Sequence, residues 1–159
     1  MKRYLQMFIV IALLFAISYS VFSNTTSNHV TAQDIQLQNL AGEVQTIKRG
    51  KVILNFWATY CPPCEREMPA LNAAFHNLSD SVQLYAINVE EPTRIVNQYM
   101  KNKEVQFPVL LDRTGDLKDA YNITTLPTTL FLKDGEVVHT VQGEITENEI
   151  YELASTYFE

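Results

Sequence analysis

The sequence predicts one α/β domain, a central mixed sheet flanked by helices, and three patterns carry that prediction. Residues 52–57, Val-Ile-Leu-Asn-Phe-Trp, are apolar on both alternations except at Asn55, as a strand buried on both faces requires. Met68, Leu71, Phe75 and Leu78 then recur at spacings of three and four, the stripe of an amphipathic helix, and residues 82–89 supply the next strand. Strand, helix and strand in that order make a βαβ unit with a right-handed crossover. Near the other end, residues 128–132 and 137–141 flank Lys133-Asp134-Gly135-Glu136, whose Asp-Gly corner suits an antiparallel hairpin.

The remaining elements follow in chain order. Lys2 and Arg3 precede residues 4–22, apolar apart from Gln6, Ser18 and Ser20, and such a run just reaches the roughly 20 residues needed to cross a bilayer. Residues 1–22 are therefore expected to form a transmembrane signal-anchor helix. Its basic flank stays cytoplasmic and everything after it lies outside. The alternative is a cleaved signal peptide with its core at 7–17 and Ser18-Tyr19-Ser20 as the cleavage site. Residues 23–33 are polar and read as a linker, so the domain spans 34–159.

Within the domain, residues 35–38 alternate, Ala41-Gly42-Glu43 turns, and 44–47 resume, which predicts a β-hairpin. Pro92 opens a second helix with Ile95, Val96, Tyr99 and Met100 inward. A short buried strand is expected at 107–111 and a short helix at 116–121. Thr146-Glu147-Asn148-Glu149 forms a capping box for a last helix carrying Ile150, Leu153, Tyr157 and Phe158.

With 159 residues, 47% of them hydrophobic and 19% charged, the chain has enough apolar surface for one core. Its formal net charge of −6, with no basic cluster beyond Lys2-Arg3 and Lys48-Arg49, argues against a nucleic-acid partner.

Both cysteines of the chain stand in Cys61-Pro62-Pro63-Cys64, between the 52–57 strand and the helical stripe. A thiol there meets the free N–H groups and positive end of a helix, which favour the thiolate that attacks disulfides. Cys61 is the expected nucleophile, and Cys64, one turn further in, resolves the mixed disulfide. Pro62 and Pro63 lack N–H groups and so tune the potential of the pair. An extracytoplasmic domain usually spends cysteines on structural bridges, yet this one has a single closely spaced pair. Zinc would need four ligands, and His29, His76 and His139 are scattered, so neither metal nor cofactor is expected. Two other functions stay open: Cu(I) held between the two thiolates, and a thiol peroxidase.

The segments Asn55 to Cys64, Ala86-Ile87-Asn88-Val89, residues 107–112 and Leu126-Pro127-Thr128-Thr129 resemble the TlpA/ResA-type membrane-anchored thiol–disulfide oxidoreductases, which include the sporulation member StoA. That resemblance, covering residue 34 to the C-terminus, implies a thioredoxin-like fold with an added N-terminal β-hairpin and a βαβ insertion. It implies a disulfide reductase outside the cytoplasm, recharged by a membrane thiol carrier of the CcdA/DsbD type. Apocytochrome c and spore-envelope or cell-wall proteins are the clients it suggests. The expected state is a monomer.

The same resemblance assigns residues. Pro127 matches a cis-proline beside the cysteines, leaving the Leu126 backbone to pair with an extended client segment. Asn55 stands where thioredoxins carry a buried Asp, and Glu91 matches a family Glu that could exchange protons with Cys64 or modulate Cys61. Strand parity places Glu90 and Glu91 in different surroundings. Phe56 and Trp57 read as core or subsurface packing, with Trp57 also a candidate client contact.

Overall fold

A hairpin begins the described part of the domain and an αβ core completes it. The structure, a computed structural model, describes residues 35–101 and 103–159, so the expected anchor 1–22 and linker 23–33 lie outside the described residues. The elements are β1 (Ile35–Asn39), β2 (Val44–Ile47), β3 (Lys51–Trp57), α1 (Pro62–Asn77), β4 (Val82–Val89), α2 (Thr93–Met100), β5 (Val109–Asp112), α3 (Asp116–Ala120), β6 (Thr128–Lys133), β7 (Glu136–Gln142) and α4 (Glu147–Phe158).

Seven strands of the described residues form one mixed sheet in the order β2-β1-β5-β4-β3-β6-β7. β3 runs parallel to β4, from Lys51 opposite Val82 to Trp57 opposite Asn88, and antiparallel to β6. β4 runs parallel to β5, which gives a second βαβ unit through α2, and β1 joins the sheet antiparallel to β5. This is a thioredoxin-like α/β fold with the hairpin β1–β2 added at one edge.

β3 is central because residues 52–57 are all buried, as their unbroken apolarity demands. Its alternation sends Phe56 against Tyr121, ring centroids 6.3 Å apart, and Trp57 to the opposite face against Tyr99 at 5.6 Å. α4 docks beside α1, where the Tyr151 hydroxyl donates to the Ala73 carbonyl at 3.4 Å.

The turns form as their chemistry predicts. Asp134 (φ 54°) and Gly135 (φ 89°) are both left-handed, the requirement of a two-residue hairpin loop whose twist matches its strands. In the capping box the Glu149 N–H donates to Thr146 Oγ1 at 3.3 Å and the Thr146 N–H donates to Glu149 Oε2 at 2.8 Å.

Some details differ from expectation. Pro92 is the N-cap of α2 rather than its first helical residue, and of the expected inward face only Val96 is fully buried. β5 begins at Val109, because Pro108 has no N–H to donate and only its carbonyl joins the sheet, accepting the Ala86 N–H at 3.0 Å. A register shift between Phe131 and Leu132 bends the β6–β7 hairpin, and the residue pattern carries no sign of it.

Candidate active site

Cys61 is the N-cap of α1, with extended backbone angles of φ −103° and ψ 99°. Pro62 and Pro63 fill the first two helical positions, where a missing N–H costs nothing. The first amide the helix has to offer is therefore that of Cys64, and it donates to Cys61 Sγ at 3.3 Å. The two prolines thus leave the Cys64 amide to the Cys61 sulfur, while the next amide, of Glu65, donates to the Cys61 carbonyl at 3.2 Å. Cys61 and Cys64 are joined as a disulfide, with Cys61 8% exposed and Cys64 1%. The outer sulfur is the one a partner can reach.

An open groove of about 480 Å³ lies beside it, lined among others by Tyr60, Cys61, Ile123 and Leu126. Leu126 is half-buried, and neither its N–H nor its C=O makes a hydrogen bond among the described residues. The Leu126–Pro127 bond is cis, as the resemblance implies. Pro127 is buried behind Leu126, and its carbonyl accepts the Gly143 N–H at 2.8 Å.

Trp57 does not reach this groove. It is 1% exposed and packs on Tyr99, the packing position expected of it. The exposed aromatic at the site is Tyr60, 68% exposed.

Two buried carboxylates stand near the cysteine segment, and only one was singled out by its sequence position. Glu91, 8% exposed, accepts from the Thr59 N–H at 2.7 Å, the Thr59 hydroxyl at 2.5 Å and Asn88 Nδ2 at 2.7 Å. Its hydrogen bonds brace the turn that leads to Cys61 and include neither sulfur. The Glu90 and Glu91 environments differ as expected, but for another reason. β4 ends at Val89, and Glu90 turns into the left-handed region at φ 56°, which throws Glu90 outward and Glu91 inward.

Glu67 is the second carboxylate, 2% exposed. It sits three residues beyond Cys64, on the same face of α1, with Leu71 and Ala74 continuing that buried stripe. Asn55 Nδ2 donates to its Oε1 at 2.7 Å, and the Ile145 N–H donates to Oε2 at 3.1 Å. Asn55 Nδ2 also reaches Thr129 Oγ1 at 3.0 Å. Burial pushes the Glu67 carboxyl up to about 7, against the Asn55 and Ile145 hydrogen bonds that pull it down. An acid of helix α1 thus occupies the ground left by the absent Asp at position 55. Its sequence signal is a lone Glu inside an apolar helical stripe. Beside it the Arg66 guanidinium pairs with Glu144, tying α1 to the segment before α4.

Among the described residues, no group of three or more His, Cys, Asp or Glu side chains is placed to hold a metal ion. A dithiol at a helix N-terminus, an adjacent groove with unpaired backbone and a buried acid near pH 7 define a thioredoxin-like thiol–disulfide exchange site. Comparison with known proteins agrees. Residues 29–141 match the AhpC/TSA family. The thiol–disulfide oxidoreductase ResA of Geobacillus kaustophilus is 37% identical over 153 residues, 89% of this chain and 88% of that one. The sporulation thiol–disulfide oxidoreductase A of Bacillus subtilis is 33% identical over 128 residues, 77% of this chain and 73% of that one. The crystal structure of StoA from Bacillus subtilis superposes with a TM-score of 0.70 at 32% identity, covering 77% of this chain and 96% of that one. The chain belongs to the ResA-type thiol–disulfide oxidoreductases of the AhpC/TSA family, and it is an enzyme of that class.

Proposed function

We propose that the enzyme is a disulfide reductase of exported proteins, held at the cell membrane by residues 1–22 with its catalytic domain on the extracytoplasmic side. One observation carries this: among the described residues Cys61 is the only sulfur that lines the groove, set on the first free amide of α1, with Cys64 buried behind it. In the reduced enzyme the Cys61 thiolate attacks one sulfur of a client disulfide, forms a mixed disulfide and expels the first client thiolate. Cys64 then gives its proton to Glu67 and attacks Cys61 Sγ, so the second client sulfur leaves as a thiolate, the Cys61–Cys64 bond closes, and the proton held by Glu67 passes out to solvent. Two electrons pass to the client. A membrane thiol carrier of the CcdA/DsbD type restores the dithiol by the reverse exchange.

An extended client segment would lie along the groove and pair with the free N–H and C=O of Leu126, a strand addition ending at Cys61. Pro127 holds that segment of backbone, and Glu91 acts as a positioning residue through Thr59. Apocytochrome c and spore-envelope or cell-wall proteins are the clients of this reading, and the name of the sporulation oxidoreductase of Bacillus subtilis favours the spore-related ones. The enzyme works as a monomer, each copy carrying a complete dithiol and groove.

Cys64→Ser tests this by removing the resolving sulfur. The full-length variant should accumulate client proteins as mixed disulfides on Cys61. Finding none, while Cys61 still reacts with an alkylating agent, would rule the assignment out.

A further inference from the structure

The rim of the Cys61 groove holds a charged pair that the exchange chemistry does not require. Glu90 stands just beyond β4 at φ 56°, a region that residues bearing a Cβ seldom occupy. Its carboxylate is half-exposed, and Oε2 lies 3.0 Å from Lys118 Nζ of α3. Opposite it, Gly115 has φ 80°, and a Cβ there would fall 2.9 Å from Glu90 Oε1. Two left-handed residues from separate loops therefore make room for one carboxylate at the mouth of the site. Glu90 and Lys118 line the same groove as Cys61 and Leu126.

We propose that Glu90 is a specificity-determining residue, selecting client segments that carry Lys or Arg next to the reactive cysteine. This rests on the groove being the client site proposed above. The sign follows from the local charges. Lys118 Nζ also lies 3.8 Å from Asp119 Oδ1, so two carboxylates face one ammonium. Lys118 is only 25% exposed, whereas Glu90 is 47% exposed and Asp119 80%. A client therefore meets carboxylate rather than ammonium, and the chain's net charge of −6 acts in the same direction. Glu90 would offer its outer lone pairs to the client cation while Lys118 holds it in place. An exposed pair of this kind discriminates by a modest factor, on the order of fivefold between opposite client charges.

The test is single-turnover reduction, by the reduced full-length protein, of two disulfide peptides identical except for Lys or Glu beside the cysteine. Wild type should reduce the Lys peptide about five times faster at low salt, and 0.5 M salt should compress the ratio. The ratio should fall to about one in E90Q and E90G. Glycine adopts φ 56° freely, so E90G removes the carboxylate while suiting the backbone. K118M should raise the ratio by freeing the carboxylate. A wild-type ratio of one, or a ratio that E90Q and E90G leave unchanged, overturns the assignment. Trapping with Cys64→Ser separates the two levels. If neither peptide is captured on Cys61, the groove itself is misassigned; if both are captured and the ratio is one, only the role of Glu90 falls.

Discussion

Replacing Glu67 with Gln should abolish a pH dependence of stability that the buried carboxyl imposes on the oxidised enzyme. Burial pushes the carboxyl up to about 7 in the folded protein, from 4.5 for an ordinary glutamate. Below about pH 4.5 it is protonated whether the chain is folded or not, and its contribution to stability is fully present. Between 4.5 and 7 the folded state retains a proton that the unfolded state has released, so stability falls as pH rises. Above 7 both states are ionised and the loss is complete. A displacement from 4.5 to about 7 corresponds to about 3 kcal/mol, at about 1.4 kcal/mol per unit. At 2% exposure, solvent screening removes little of it. Gln cannot ionise, so the difference between wild type and Glu67→Gln should swing by about 3 kcal/mol from pH 4.5 to 8. Any constant offset from a lost hydrogen bond to Asn55 or Ile145 cancels in that swing. Trp57 is the only tryptophan and is buried, so its fluorescence reports unfolding in denaturant titrations across this range. Parallel curves for the two proteins would refute the burial argument for Glu67.

Other perturbations separate the remaining parts of the site. Glu91→Ala leaves the Thr59 N–H and Asn88 Nδ2 without their acceptor and should cost about 2–4 kcal/mol by denaturant midpoint. An unchanged midpoint would deny Glu91 its bracing role. Asn55→Asp sets a second carboxylate where Asn55 now donates to Glu67, so at pH 8 the variant should be less stable than wild type, with the gap closing at pH 5 as the pair takes up protons. Thr146→Ala removes the cap of α4 and should cost about 1 kcal/mol without altering disulfide exchange. In the reduced protein, Cys61 should be alkylated ahead of Cys64 at every pH, as their exposures of 8% and 1% dictate, and peptide mapping of a short pulse would show it.

Periodicity made most of the fold legible. The unbroken apolar run of β3, the three-and-four stripe of α1, the Asp134-Gly135 corner and the Thr146–Glu149 box are local patterns, and each forms where its residues stand. The cysteine pair was legible because a helix N-terminus is a local feature too. Glu67 was hidden because its burial depends on partners distant in the chain, Asn55 twelve residues earlier and Ile145 seventy-eight later. Charge alone places a helical Glu in solvent, and only its i, i+3 relation to Cys64 hints otherwise. At Glu90 the obstacle was conformational: a left-handed residue breaks strand parity, and a Glu gives no warning of φ 56°. Of the two readings of Trp57, the packing one was legible from the unbroken apolarity of its strand, whereas the outward turn of Tyr60, three residues on, leaves no local signal.

The central claim, that this dithiol gives electrons to its clients, is tested most directly by the reduction potential of the Cys61–Cys64 couple, measured by equilibrating the protein with thiol–disulfide buffers. A reductase requires a value of about −250 mV or lower. A value near −120 mV, at the strongly oxidising end for this type of site, would contradict it and make the enzyme a donor of disulfides.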